Sequence, residues 1–287
     1  MKKIKEKMGR ALLILKSDPR YLLNILCKKL IPLPKSPHRQ EINGILFEFD
    51  FDFDPVIKYM YWGTYETHII ALIKKFLRPG DVFVDVGANI GYISAIALGV
   101  LGKSGQVHSF EPVPQYFNRL KKIAELNKEY DIVVNQCALS DRAGTAKIDI
   151  SNCQNIGWNT MVPDFMHKDT AKETIEIETC TLDRYTKEKE LKKIALIKID
   201  TEGFEFPVLM GLKSYFEENA HRPVIICEIA PASYPLLGYS LKQLSEYMEK
   251  YGYRAFDAVN NDVEIDLSLL KSTTDILFIN SEGGKYQ

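Results

Sequence analysis

Along this 287-residue chain the spacing of apolar positions changes several times, and each change predicts an element. Residues 2–16 and 18–31 read as two short helices. In the second, Asp18 can cap the start, Pro19 suits the first turn, and Leu22, Leu23, Leu26 and Leu30 share one face. The Pro-rich run 31–37 is a stiff linker that puts a boundary near residue 40. Beyond it the period falls to two: Ile45, Phe47, Phe49, Phe51 and Phe53 alternate with Glu48, Asp50 and Asp52, the pattern of a half-buried strand or hairpin arm. A helix over 66–77 follows, ended by Arg78-Pro79-Gly80.

From there short apolar runs at 82–86, 106–110, 132–137, 195–199 and 224–228 take turns with helical patterns at 91–100, 114–128, 205–218 and 240–251. This alternation predicts an α/β fold: a doubly wound, Rossmann-like parallel sheet with helices on both faces. Residues 253–257 and 275–279 have no room for a crossover helix between them and are expected to form a late strand pair. Residues 143–182 interrupt the pattern before the fourth strand with two alternating arms, 145–150 and 174–181. These flank a loop with Asn152, Trp158 and His167. The expected organisation is an N-terminal extension and linker over 1–40 and one catalytic domain over 41–287.

Charge divides the chain the same way. Residues 1–39 hold eleven Lys and Arg against Glu6 and Asp18, so the net charge of -1 conceals a basic head on an acidic body. The head is expected to hook onto an anionic membrane face or to pack on the body or on a second copy of the chain. An acidic body offers no broad phosphate-binding surface, which argues against a nucleic-acid partner. No apolar run is long enough to span a bilayer. The five cysteines, Cys27, Cys137, Cys153, Cys180 and Cys227, show no metal-ligand spacing. Their odd number, without a secretory signal, points to reduced thiols and a cytoplasmic location, with a peripheral place at the inner face of the membrane if the head is a membrane hook.

The chemistry concentrates at strand ends, where open α/β sheets bind ligands. The first strand of the sheet runs into Asp85-Val86-Gly87-Ala88-Asn89-Ile90-Gly91, in which Gly87 permits a sharp turn and Gly91 close helix packing. Asn89 stands where a dinucleotide site would carry its second glycine. Asp85, Glu111, Asp200 and Glu228 end four strands, with Glu202 just beyond. A carboxylate about 4 Å from a phosphate costs on the order of 4 kcal/mol at an effective dielectric near 20, and a cation gains as much. The set therefore suits a positively charged cofactor. Glu111, about 20 residues past the glycine turn, fits either an acceptor for ribose hydroxyls or a cap for the helix beginning at Pro114.

These segments resemble the FkbM-type family of S-adenosylmethionine-dependent methyltransferases. The likeness is carried by Gly63-Thr64-Tyr65-Glu66, the run from Asp81 to Tyr92, Phe110-Glu111-Pro112, and Lys198-Ile199-Asp200-Thr201-Glu202-Gly203-Phe204-Glu205, and it spans about residues 45–230. The basic head is outside it. The resemblance implies S-adenosylmethionine as cofactor, a seven-stranded sheet with an antiparallel last strand, and O-methylation of a sugar, glycolipid, polysaccharide or related natural product. Carried over by position, Asp85, Gly87, Ala88, Asn89 and Gly91 hold the methionine moiety, Glu111 the ribose, and Ala138 and Leu139 flank the adenine. Glu66 is a further cofactor contact, or the first-turn acid of its helix.

Asp200 and Glu202 are the catalytic candidates, because the turn after the fourth strand faces the transferable methyl in this architecture. A carboxylate there serves as a base for the acceptor hydroxyl, as a metal ligand or as a cofactor contact. No separate metal-ligand cluster is evident, and a divalent metal is possible but not indicated. His167 is a rival base, and Trp158 either stacks on a sugar ring or anchors its loop. Two other readings remain open against this one: a non-catalytic binding or scaffold module that keeps the cofactor fold, and, more distantly, an oxidoreductase that uses a dinucleotide.

Overall fold

The computed structural model describes residues 32–151, 158–166 and 171–280. Both helices expected in the basic head lie outside these residues, as do Asn152 and His167. Strand β1 (His38–Ile42) pairs antiparallel with β2 (Ile45–Phe49), so strand structure reaches two residues to the linker side of the expected boundary. Ile45, Phe47 and Phe49 are buried as their alternation predicts. The strand stops there, short of Phe51 and Phe53. Asp50 accepts hydrogen bonds from Ser36 Oγ, the Asp52 amide and Arg119, while Asp54 accepts one from the Val56 amide. Asp50, between two of the phenylalanines, and Asp54, just past them, thus act as turn formers, while Glu48 stays on the strand.

Helices α1 (Ile57–Tyr61) and α2 (Thr67–Phe76) lead into β3 (Val82–Val86), α3 (Tyr92–Leu101), β4 (Gln106–Phe110), α4 (Pro114–Leu126) and β5 (Asp131–Asn135). The strand expected to reach residue 137 stops two residues short. Asn135 ends β5, its side chain donating to the Ser109 carbonyl and the Tyr185 hydroxyl, and Ala138–Leu139 form a separate strand, β6. The expected arms become β7 (Gly144–Ser151) and β8 (Ala171–Cys180), antiparallel to each other, with β6 parallel to β8 in a three-stranded side sheet.

After α5 (Leu182–Glu188) and β9 (Leu196–Ile199), the helix expected over 205–218 appears as two, α6 (Glu205–Met210) and α7 (Lys213–Glu218). Asp183 on α5 accepts from the amides of Ser214 and Tyr215 at 2.8 and 2.7 Å and so caps a fresh helix start. A capping carboxylate from a distant helix leaves no periodic trace in the sequence. Strand β10 (Val224–Ile229), α8 (Leu241–Lys250), β11 (Tyr253–Asp257) and β12 (Thr274–Asn280) complete the body.

The main sheet has the order β11-β12-β10-β9-β3-β4-β5, and only β12 runs against its neighbours. Its two faces are separate cores. Phe83, Leu196, Ile226 and Leu277 pack with residues of α2, α3 and α4, whereas Val84, Ile197, Ile225 and Ile276 pack with α5, α6, α7 and α8. Continuous apolar strands buried on both faces are what a parallel sheet requires. The chain builds outward from β3 through β4 to β5, then returns to lay β9 on the other side. Strand order therefore reverses between β3 and β9, where ligand crevices form in such sheets. No helix among the described residues is long and apolar enough to cross a membrane.

Candidate cofactor and catalytic site

The turns after β3 and β9 touch at the reversal point. Asp200 donates its amide to the Val86 carbonyl at 3.0 Å, and a Cβ on Gly87 would stand 1.8 Å from the Asp200 carbonyl oxygen. Gly87 has φ +76°, so both its backbone conformation and this approach require glycine. Gly91, at φ +82°, lets α3 lie on α4, since a Cβ there would meet Ile123 at 2.5 Å. The two glycines thus have the roles expected from the sequence. Above them opens a cleft of about 850 Å³, counting its solvent mouth. Every expected cofactor residue except Gly91 lines it, and Asp200 and Glu202 line it too.

On the β4 side the carboxylate is held by backbone. Glu111 is buried and accepts from the amides of Asn89 at 2.9 Å and Val113 at 2.8 Å. Val113 is the N-cap of α4, so the capping role is real, and it coexists with a place in the cleft wall. Each oxygen keeps a second acceptor site. Burial pushes the Glu111 carboxyl up to about 7 against the pull of those two amides. Asp85 is fully buried, accepts from Ser94 Oγ at 2.6 Å through Oδ2, and leaves Oδ1 without a partner.

On the β9 side acids face one another. Lys198, buried in an otherwise apolar strand, places its ammonium 2.8 Å from Asp200 Oδ2. Burial alone would drive its proton off; the carboxylates of Asp200, Glu66 and Asp85 outweigh that and hold its pKa well above the usual range. Burial, followed by the charges of Asp200 and Glu205, raises Glu202 to about 8. Burial, with Asp200 and Asp275 beside it, also raises Glu66 despite Lys198, and its Oε2 has no partner. Asp200, Glu202 and Glu228 offer oxygens all within 4.8 Å of one another, the one group of three or more metal-type ligands among the described residues.

Two of these acids are held in the left-handed region, Glu66 at φ 43° and Glu202 at φ 50°, as is Asn89 at 54°. Such backbone in a non-glycine residue persists only where the surroundings over-determine it. For Glu202 the surroundings are visible. Thr160 of the insertion donates to its carbonyl at 2.6 Å, and Glu205 accepts from the Gly203 amide at 2.6 Å. The insertion thereby roofs the cleft, contributing Ile148, Asn159 and Met161 to its wall. Trp158, beside them, is about half exposed. Lys198, quoted in the sequence only as part of a motif and given no role there, is the cleft residue that sequence reasoning passed over. A lysine two positions before Asp200, hence on the same face of a buried strand, was the signal.

The family model described as Methyltransferase FkbM domain matches residues 85–255, more than half of the chain. The 31-O-demethyl-FK506 methyltransferase FkbM of Streptomyces tacrolimicus is 33% identical over 163 residues, 48% of this chain and 61% of that protein. The hexuronic acid methyltransferase AglP of Haloferax volcanii is 27% identical over 147 residues, 51% of this chain and 56% of its own length. The chain thus spans somewhat over half the length of these curated relatives. The crystal structure of methyltransferase FkbM from Methylobacillus flagellatus KT shares 17% identity at a TM-score of 0.45, over 78% of this chain and 54% of that one. Because the family model covers more than half of the chain, both acidic turns included, the chain belongs to the FkbM family of methyltransferases.

Proposed function

We propose that this protein transfers the methyl group of S-adenosylmethionine to a hydroxyl of a sugar, glycolipid, polysaccharide or related natural product. The observation that carries the reading is the charge of the cleft wall. Glu66, Asp85, Glu111, Asp200 and Glu202 line it with Lys198, whose ammonium is already turned onto Asp200. A sulfonium gains from that wall what a dinucleotide phosphate would lose. The unpartnered oxygens of Asp85 and Glu66 are suited to an ammonium such as that of the methionine end. In this reading Glu111 accepts the ribose hydroxyls and Ala138 and Leu139 bound the base, which is supported by their all lining the cleft. The acceptor class draws support from the names of two relatives, one acting on a hexuronic acid and one on a demethylated natural product.

When bound, the cofactor supplies the electrophilic methyl; the protein must align the acceptor and take its proton. Asp200 is assigned as that base. Lys198 grips its Oδ2, which leaves Oδ1 to receive the proton from an acceptor hydroxyl lying in the cleft. Glu202 shares the turn. Asp200→Asn should lower turnover by roughly 10²–10⁴ while cofactor affinity stays within about tenfold. Turnover is read as a mass gain of about 14 Da in hydroxylated sugar and glycolipid acceptors. Wild-type turnover in the variant would remove Asp200 from the mechanism.

The 4.8 Å cluster of Asp200, Glu202 and Glu228 favours a second reading of the same turn, as the seat of a divalent cation that polarises the acceptor oxygen. Under it, a chelator abolishes wild-type turnover and Mg²⁺ or Mn²⁺ restores it. Calorimetric titration separates the rivals of another class. A scaffold module binds S-adenosylmethionine without turnover, and an oxidoreductase binds NAD instead.

A further inference from the structure

Cys137 and Cys180 meet with their sulfurs 3.3 Å apart, and both are half-buried. They come from different elements. Cys137 directly precedes β6 and lines the cleft with Ala138 and Leu139; Cys180 ends β8, immediately before Thr181, the N-cap of α5. Strand β6, which follows Cys137, runs parallel to β8 with Leu139 opposite Cys180, and the Ser140 amide donates to the Cys180 carbonyl at 2.9 Å. Two thiols in contact at the wall of a ligand cleft are placed for chemistry that neither could perform alone.

We propose that Cys137 and Cys180 form a dithiol oxidation site whose substrate is a low-molecular-weight disulfide such as oxidised glutathione, and that closing it deforms the adenine end of the cleft. Cys180 attacks first. The S–H of Cys137 stabilises its thiolate and lowers its pKa, with Arg184 adding to the effect, while Cys137 is pushed up. The Cys180 thiolate displaces one small thiol from the oxidant and forms a mixed disulfide. Cys137 then loses its proton to water and attacks the Cys180 sulfur, expelling the second small thiol. Two protein thiols and one small disulfide become one protein disulfide and two small thiols, with two electrons passed to the oxidant.

A bonded pair sits about 2.05 Å apart, so the sulfurs must approach by more than about 1 Å. Strand β8 is paired with β7 from Ala171 to Thr179, the residue before Cys180, and α5 follows directly, whereas β6 is two residues long. The Cys137 side is therefore the one that gives, and it is cleft wall. This second half of the proposal rests on the reading of that cleft as the cofactor site.

The test uses the full chain, reduced and then incubated with oxidised glutathione. Peptide mapping should find a Cys137–Cys180 link of two hydrogens less mass. Affinity for S-adenosylhomocysteine should fall at least fivefold and recover with dithiothreitol. Cys180→Ser should keep the reduced affinity and ignore the oxidant. Thiols that stay free, mixed disulfides that never resolve, or a link to Cys153 would overturn the site. A mapped link that leaves affinity unchanged would overturn its coupling to the cleft. If the reduced protein binds no S-adenosylhomocysteine, the cofactor reading and the coupling fall together, and the peptide map alone still decides the dithiol site.

Discussion

The two halves of the cleft solve the problem of buried carboxylates in opposite ways. On the β4 side Glu111 is answered by two backbone amides, which do not titrate. On the β9 side Asp200, Glu202 and Glu228 stand within 4.8 Å of one another, with Lys198 as the cation gripping Asp200. The first half is prepared before binding. The second holds repulsion that a cation or a transferred proton relieves, which is where a reacting centre belongs. Their join is the contact between Gly87 and the Asp200 carbonyl, so the halves are mechanically one.

Breaking the join should have the largest effect. Gly87→Ala puts a methyl 1.8 Å from a backbone oxygen and forces an L-residue to φ +76°. We expect insoluble protein, or a fold from which both cofactor binding and turnover are gone, measured by chemical denaturation and calorimetry. A stable variant with normal affinity would show that the two turns can separate freely.

Next in size is Lys198→Met, which keeps the bulk of the stem and removes the cation between Asp200, Glu66 and Asp85. Truncating one partner of a buried pair leaves the other charge uncompensated, at a cost of about 3–5 kcal/mol. The urea midpoint should fall accordingly. Asp200→Asn should restore part of it in the double variant, because fewer buried charges then face the methionine. If the single substitution is neutral, Lys198 is not the keystone of the β9 half.

On the β4 side the expected loss is smaller and confined to binding. Glu111→Gln keeps one acceptor oxygen and removes the charge, so affinity for S-adenosylmethionine should drop by about 1–3 kcal/mol, the range for hydrogen bonds to a charged group. Equal affinity in the variant would leave Glu111 as the α4 cap alone.

The sequence made this contrast only half legible. The sheet could be read because strands buried on both faces are continuous apolar runs: Val82–Val86 and Gln106–Phe110 are found to the residue. Strand-end acids were likewise visible one by one, and the glycine turn announced its own backbone. What stayed hidden depends on distant partners. Asp183 capping α7, Thr160 fastening the Glu202 turn and the left-handed backbone of Glu66 are set by residues dozens of positions away, or by none that period or propensity marks. Lys198 was hidden differently. One lysine in an apolar strand looks like an exception until its three carboxylates are seen together.

The finest test of the comparison is titration. Glu111, raised to about 7, is largely protonated in the ligand-free protein at pH 6, and ribose hydroxyls donating to it favour its ionised form. Affinity for S-adenosylhomocysteine, which lacks the sulfonium, should therefore rise as pH passes through about 7, and Glu111→Gln should flatten that rise. S-adenosylmethionine adds a positive sulfur beside the β9 acids and favours ionised Glu202, whose own value is about 8. Its affinity should keep climbing towards pH 8.5, by about tenfold more than that of the product for each unit by which the cation lowers Glu202. Stability of the ligand-free protein should run the opposite way. A carboxyl raised on folding contributes stability that is complete below its unfolded value near 4.5 and lost as pH rises through its folded value, so the melting temperature falls between about 4.5 and 8. Saturating S-adenosylmethionine should counter that fall more than S-adenosylhomocysteine does. Parallel pH profiles for the two ligands would mean that the β9 acids do not sense the sulfonium, and the division of the cleft into a prepared half and a responsive half would not stand.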